Sequence, residues 1–247
     1  MKKIPNAIII GAGKAGSTSL YRYLDAHPRI EGSEVKELMY FSSKFQMGEA
    51  WYLSHFPERE GVDIYFEATP QYSFRDEYPD VASRIFQYNP DMYILYVVRE
   101  PLSRIVSHFN HWSRAFPDNY VDISQSLSNS AHRKFFIDRT RYYYQIEAYL
   151  DYFDRGKIKV VFLEDLKSSF VKSMNEVYQF LGVEECADSV DGRVFNSAKK
   201  AENGRIWTVD DIPDARRMEI CETLSEDVQK LFSLSGKPED FWGEVYT

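Results

Sequence analysis

The stretch AIIIGAGKAGSTSLYRYL, residues 7–24, decides the fold. Ala7 to Ile10 is apolar and mostly β-branched, which predicts a strand. GAGKAGST (11–18) follows without a break, and Leu20, Tyr23 and Leu24 then recur at helical spacing. Strand, glycine-rich loop and helix together make a phosphate-binding loop. Glycines let successive backbone N–H groups turn inward, and the new helix N-terminus adds partial positive charge. Gly11, Gly16 and Thr18 fit the nucleotide-triphosphate motif G-x-x-x-x-G-K-[ST], but Ser17 stands where that motif has Lys. Lys14 lies inside the loop instead, nearer a group attached to a 5′-phosphate than to β and γ phosphates. Gly11, Gly13 and Gly16 also spell G-x-G-x-x-G, a dinucleotide fingerprint that expects an acidic residue about 20 positions on. Glu31 and Glu34 lie near that distance, but no strand is predicted to carry either.

Outward from this centre, DIYFEA (63–68), MYILYVV (92–98) and KIKVVFL (157–163) read as strands. The second is apolar throughout, as a strand buried on both faces of a parallel sheet must be. Helices are predicted over 79–90, from REPLSRIVSHFNHW with Pro101 in its first turn, over TRYYYQIEAYLDYF, and over SSFVKSMNEVYQFLG, which stops at Gly182. A long amphipathic helix runs from about 213 to 234. Strands alternating with helices predict an α/β fold with a central, mainly parallel sheet in three layers. Residues 1–247 read as a single domain, because one hydrophobic core can serve a chain of about 250 residues. Residues 184–211 have weak periodicity and read as an irregular loop. Such sheets bind ligands beyond the carboxyl ends of their strands, so the loops after Ile10, Ala68 and Val98 are the places to look for chemistry.

The chain carries 30 Lys and Arg against 38 Asp and Glu, a formal charge of −8. That balance argues against a general nucleic-acid binder. The charge is uneven: residues 1–150 sum to −1 and residues 151–247 to −7. The acidity belongs to the later helices and loops and does not oppose an anion site near the first loop. Cys186 and Cys221 are too few for a disulfide scaffold and match no metal spacing. Lys2 and Lys3 precede an apolar run, but Pro5 and Asn6 interrupt it and Lys14 closes it, whereas a signal peptide needs roughly 7–15 unbroken apolar residues. No stretch approaches the ~18 residues of a membrane span. These features read as a cytoplasmic protein.

YVVREPLSRIVSHFNHW places Arg99 at the end of the strongest strand and Ser107 eight residues on. Arg is a natural bidentate partner of phosphate. At this point the sequence resembles the sulfotransferases that use 3′-phosphoadenosine 5′-phosphosulfate (PAPS). KAGSTS (Lys14 to Ser19) resembles their K-x-G-[ST]-[ST] loop for the 5′-phosphosulfate. REPLSRIVS (Arg99 to Ser107) resembles R-[DE]-P-x-x-R-x-x-S, where Arg and Ser hold the 3′-phosphate. FEATPQY (Phe66 to Tyr72) looks like the E-K-[ST]-P-x-Y segment of heparan sulfate sulfotransferases and their bacterial relatives; by that resemblance Glu67 inherits the general base role. KELMYF (Lys36 to Phe41) looks like their K-E-x-H-F-F, with Met39 where His is usual. The resemblance puts Tyr142 near the cofactor and His111 at a site position. It also makes ENGRIWTVDD (202–211), with Gly204 and Arg205, the counterpart of a loop that closes over PAPS; Asn203 replaces its Lys, and the flanking disulfide of the animal enzymes is missing.

The resemblance implies sulfuryl transfer to a hydroxyl or an amine. Lys14, with backbone donors of Ala15, Gly16, Ser17, Thr18 and Ser19, would stabilise the leaving phosphate. Glu67 would take the acceptor's proton. No metal is called for, and no ligand cluster is visible. His111, four residues from Ser107 and so on its helical face, reads as a second proton acceptor, a substrate contact or a packing residue. Lys36, Tyr72 and Trp112 are candidate acceptor contacts. The aromatic load of 18 Tyr, 17 Phe and 4 Trp fits either a core or a stacking cleft. Scattered basic residues, among them Arg75, Arg104 and Arg114, do not form the run that a long polyanion requires. A small molecule, lipid or simple glycan fits better as acceptor. The rival reading is a kinase-like phosphotransferase with a divergent phosphate loop, against which the position of Lys14 and the Arg99/Ser107 pair both speak.

Overall fold

The computed structural model of the chain describes residues 4–192 and 205–247. Its strands are β1 (Ala7–Gly11), β2 (Ile30–Gly32), β3 (Ile64–Ala68), β4 (Tyr93–Val98) and β5 (Ile158–Phe162). They form one sheet in the order β2-β3-β1-β4-β5, and every pairing is parallel. β1 is the central strand and is buried from end to end, which is why it is apolar on both faces. The helices are α1 (Ser17–Asp25), α2 (Glu49–Leu53), α3 (Val81–Tyr88), α4 (Pro101–Ala115), α5 (Ile123–Ser128), α6 (Ser130–Ile137), α7 (Tyr142–Leu150), α8 (Leu163–Ser168), α9 (Phe170–Leu181) and α10 (Asp214–Ser235).

By packing, the chain divides into two compact units: Met1–Val98 with Ile146–Phe195, and Arg99–Gln145 with Asn196–Thr247. The first holds the whole sheet. Alternation along the strands sends Ala7, Ile9, Ile64, Phe66, Ala68, Leu95 and Val97 to one face, where they pack on Leu20 and Leu24 of α1 and Met174 and Val177 of α9. By the same alternation Glu67 points to the opposite face. In the second unit Arg104 is fully buried and donates from Nη1 to the Phe136 carbonyl and Thr140 Oγ1, each at 2.9 Å. It therefore braces α4 against the end of α6 and is not a free charge for a substrate.

The predicted strands and the helices at 79–90 and 213–234 fall where expected. Two elements differ. The helix expected over 168–182 is α9, stopped at Gly182, but an unpredicted short helix, α8, precedes it, separated from it by Ser169, which leaves helical geometry. β2 was not predicted; three residues, one of them glycine, are too short to show alternation. β2 does carry Glu31, the acidic residue that a dinucleotide site would use. However, β3 lies between β2 and β1, and Glu31 is paired with Arg59. Among the described residues no helix is long and apolar enough to cross a membrane.

Asp227 of α10 caps α7, accepting from the backbone N–H groups of Tyr143 at 3.0 Å and Tyr144 at 2.8 Å. Replacing it by Ala leaves two helix N–H groups without that acceptor. Asp227→Ala is expected to cost about 1–3 kcal/mol, read as a lowered urea midpoint; an unchanged midpoint would show that this cap carries no weight.

Candidate active site

The loop after β1 is built on left-handed backbone. Lys14 has φ 68° and Gly16 φ 108°. An L-residue with a side chain rarely adopts such a φ, and where it does the neighbouring N–H groups can converge into a concavity suited to an anion. Gly16 is required for a second reason, since a Cβ there would meet Leu163 Cδ1 at 2.9 Å. Gly16 is also the N-cap of α1 and offers no side-chain cap. The first N–H groups of the helix, those of Ser17, Thr18 and Ser19, have no partner within the helix. Ala15, Ser17 and Ser19 are buried, and Lys14 and Thr18 are half-buried.

β3 ends beside β1 in register Ile8 to Glu67 and Ile9 to Ala68. Glu67 is 0% exposed. Thr69 Oγ1 donates to its Oε2 at 2.7 Å and the Tyr72 hydroxyl to its Oε1 at 2.8 Å. The Leu38 N–H also faces the carboxyl and favours its anion. The buried Tyr52 hydroxyl faces it without completing a hydrogen bond of ordinary geometry. Burial pushes the Glu67 carboxyl up to about 7, against the pull of these donors, which favour the anion. Tyr72 is itself buried, inside this cluster.

The turn that carries KELMYF is fastened to the end of β3. The Glu37 N–H donates to the Ala68 carbonyl at 2.9 Å. The Met39 N–H donates to Thr69 Oγ1 and the Phe41 N–H to the Tyr72 hydroxyl, each at 3.2 Å. Glu37 and Met39 both have positive φ, 66° and 57°. Glu37 is exposed and its Oε1 accepts from Lys36 Nζ at 2.8 Å. Glu37 is a functional candidate that the sequence reading passed over, although it sits in the quoted KELMYF stretch beside Lys36.

In the second unit Arg99 is the residue after β4. Its carbonyl accepts from the Tyr142 hydroxyl at 2.7 Å, so Tyr142 fixes the Arg99 backbone. Glu100 caps α4, accepting from the N–H groups of Leu102 and Ser103, and accepts also from the Tyr246 hydroxyl. Ser107 is half-buried and His111 exposed, one turn apart on α4. Trp112 donates from Nε1 to His108 Nε2 at 2.9 Å and stacks on Phe116. The segment bearing Arg205 is anchored by buried Asn110, which exchanges two hydrogen bonds with the Trp207 backbone. The Arg205 guanidinium lies over the Trp207 ring at 3.5 Å and pairs with Asp211. Asn110 and Trp207 were not marked by any motif. Gly204 lies outside the described residues. Among the described residues no group of three or more His, Cys, Asp or Glu side chains could hold a metal ion.

A family model described as "Sulfotransferase domain" matches residues 5–211. The chain belongs to the sulfotransferase domain family. The mouse (Mus musculus) heparan sulfate glucosamine 3-O-sulfotransferase 3B1 is 29% identical over 189 residues, which is 74% of this chain and 47% of that protein. The chain thus spans about half the length of the curated relatives it matches. A crystal structure of a sulfotransferase from Alicyclobacillus acidocaldarius superposes with a TM-score of 0.77 at 27% identity, covering 96% of this chain and 98% of that one. Mouse sulfotransferase SULT7A1, solved with PAP, shares the fold, with a TM-score of 0.56 at 16% identity over 91% of this chain and 85% of that one. These matches bear out the resemblance to the family and the α/β fold with a parallel sheet.

The buried carboxyl gives this sulfotransferase domain a stability signature. Glu67 rises from an ordinary 4.5 to about 7 on folding. Between those values the folded state holds a proton that the unfolded state has lost. The contribution is therefore full below 4.5 and is lost as pH rises through 7, a change of about 3 kcal/mol. Glu67→Gln has no such proton to lose. Chemical denaturation between pH 4.5 and 8 should show the wild type losing stability relative to this variant; parallel curves would show that the carboxyl titrates normally.

Proposed function

We propose that this chain transfers the sulfuryl group of PAPS to a hydroxyl or amine of a small acceptor, with a simple glycan unit first among the candidates. The observation that carries this reading is Lys14, held at positive φ inside a glycine-rich loop between the central strand and an uncapped helix N-terminus. These residues fit a phosphate-bearing group: the backbone offers donors, the helix adds partial positive charge, and Lys14 adds a full one. Arg99 and Ser107, with Tyr142 fixing the Arg99 backbone, would take the 3′-phosphate. Arg205 would belong to the closing segment.

In the transfer, the acceptor oxygen or nitrogen bonds to sulfur as the bond from sulfur to the 5′-phosphate oxygen breaks. Negative charge grows on the departing phosphate, where Lys14 and the loop N–H groups would meet it. The acceptor proton must go to a base. Burial favours one of the two carboxylates of this region over the other. Both oxygens of Glu67 are engaged by hydroxyls and the residue is 0% exposed. Glu37 is exposed, and it sits beyond the carboxyl end of β3, the strand next to the phosphate-loop strand. A base has to touch the acceptor, so the role goes to Glu37, with Lys36 orienting it. The second reading, Glu67 as base, is favoured by its pKa of about 7, which suits proton transfer at neutral pH. His111, exposed one turn beyond Ser107, and Trp112 remain the candidates for acceptor contacts. The relatives named for heparan sulfate glucosamine support a sugar acceptor. The charge of −8 favours a short one over a long polyanion.

A thermal-shift comparison separates the enzyme classes. Stabilisation by 3′,5′-adenosine bisphosphate (PAP), and none by ATP with Mg²⁺, is expected; the reverse would restore the phosphotransferase reading. Labelled PAPS offered with a heparosan oligosaccharide, glucosamine, p-nitrophenol and hexadecanol, followed by mass spectrometry, identifies the acceptor class.

With the active acceptor, Lys14→Ala should lower kcat about 10²–10³-fold, as the loss of a charge-stabilising donor does. Glu37→Gln should lower kcat about 10²–10⁴-fold with PAP affinity retained. Wild-type turnover in Glu37→Gln, with turnover abolished in Glu67→Gln, would return the base to Glu67.

A further inference from the structure

The Glu67 cluster connects in two directions. Toward the sheet it is rooted in β3. Toward the 37–41 turn it ends on backbone N–H groups through two hydroxyl relays. In the first, the Met39 N–H donates to Thr69 Oγ1, and Thr69 Oγ1 donates to Glu67 Oε2. In the second, the Phe41 N–H donates to the Tyr72 hydroxyl, and that hydroxyl donates to Glu67 Oε1. A hydroxyl has one proton to give. Each of these two spends it on the carboxyl and presents its lone pairs to an amide. The Leu38 N–H, just before Met39 in the chain, also faces the carboxyl. Two amides of one short turn are therefore referred by hydrogen bonds to a single buried carboxylate.

We propose that Glu67 is a positioning residue, whose carboxylate, acting through the Thr69 and Tyr72 hydroxyls, sets the backbone of the 37–41 turn and with it the placement of Glu37 and Lys36. The turn needs such a device because it holds two side-chain-bearing residues, Glu37 and Met39, at positive φ. Backbone of that kind persists only where its surroundings over-determine it. An apolar residue at position 67 would fill the space but leave both hydroxyls without their acceptor. A glutamine would turn one of its donors toward a hydroxyl that already receives an amide, and so break one relay. The catalytic consequence rests on the reading of Glu37 as base; the structural consequence does not.

Amide hydrogen exchange, followed by NMR on the whole chain at pH 8, tests the relays one at a time. Thr69→Val should speed exchange at Met39 by at least about tenfold with Phe41 little changed. Tyr72→Phe should do the reverse, and Glu67→Gln should expose at least one of the two. Thr69→Ser, which keeps the hydroxyl, should restore protection at Met39. Equal loss of protection throughout β3 and the turn in every variant would mean that these side chains only fill the core, and the proposal fails. Unchanged exchange at Met39 and Phe41 in Glu67→Gln would overturn it as well.

Turnover supplies a second arm, measured as PAP release with the heparosan oligosaccharide as acceptor. Glu67→Gln should lower kcat while leaving PAP affinity within about twofold, and the Glu37→Gln/Glu67→Gln double variant should be no slower than Glu37→Gln alone. Multiplicative losses would show that Glu67 acts independently of Glu37, against the proposal. Full activity in Glu37→Gln with the amide effects intact would sink the base assignment and leave the positioning role standing.

Discussion

Everything in the first unit is arranged around the position of β1 between β3 and β4. A strand paired on both edges and covered on both faces has no polar option, which explains AIII. Its carboxyl end has no room either: a Cβ on Gly11 would meet Ser73 Oγ at 2.5 Å and the Tyr96 ring at 3.0 Å. The pairing is parallel throughout, so the carboxyl ends of β3, β1 and β4 lie side by side. One constraint therefore sets three features in a row: the turn fastened to β3, the glycine-rich loop after β1, and the end of β4, to which Arg99 is joined by a peptide bond.

The sheet and the glycine-rich loop after β1 were legible in the sequence because both are written in local chemistry. Ala7–Gly11 and Tyr93–Val98 are apolar runs of strand length, and Gly11 and Gly16 answer to close approaches, Gly16 to a left-handed backbone angle as well. The surroundings of Glu67 and Glu37 were not legible in the same way. FEATPQY and KELMYF each contain a glutamate in a quotable motif, and nothing in either motif says which glutamate faces water. That is settled by the parity of β3, which turns Glu67 into the face away from α1. It is settled also by the closure of Thr69 and Tyr72 over the carboxyl. Trp207 and Asn110 were missed for a related reason, since their partnership spans 97 positions and no spacing announces it.

The second unit shows how a short motif depends on distant residues. REPLSRIVS contains Arg99 and Ser107, but the Arg99–Glu100 turn that leads into α4 is held by Tyr142 on the Arg99 carbonyl and by Tyr246 on Glu100. Tyr246 lies beyond residue 211, where the family match ends. Its own carbonyl is gripped by Ser225 and Gln229 of α10, at 2.8 Å each. The acidic final third of the chain is therefore not only a solvated surface: α10 carries the last residues to the cap of α4, and Asp227 on the same helix caps α7, where Tyr142 is the first residue.

Among the described residues, the side-chain-bearing residues at positive φ are Lys14, in the loop after β1, and Glu37 and Met39, in the turn fastened to the end of β3. Each such residue costs of order 1–3 kcal/mol, and glycine would relieve that cost wherever the side chain had no task. Gly16, two residues from Lys14, shows that this region uses glycine where space and φ demand it. Keeping Lys at 14 and Glu at 37 therefore calls for a reason in the side chains themselves, a cation and an anion held on adjacent strand ends. Met39 is the instructive exception. Its carbonyl accepts from the N–H groups of Ser42 and Lys44, at 3.3 and 3.0 Å, and its own N–H feeds the Thr69 relay. Its strain belongs to the backbone wiring that fixes Glu37. Two strained residues hold charges, and the third is bonded into the network that keeps one of those charges in place.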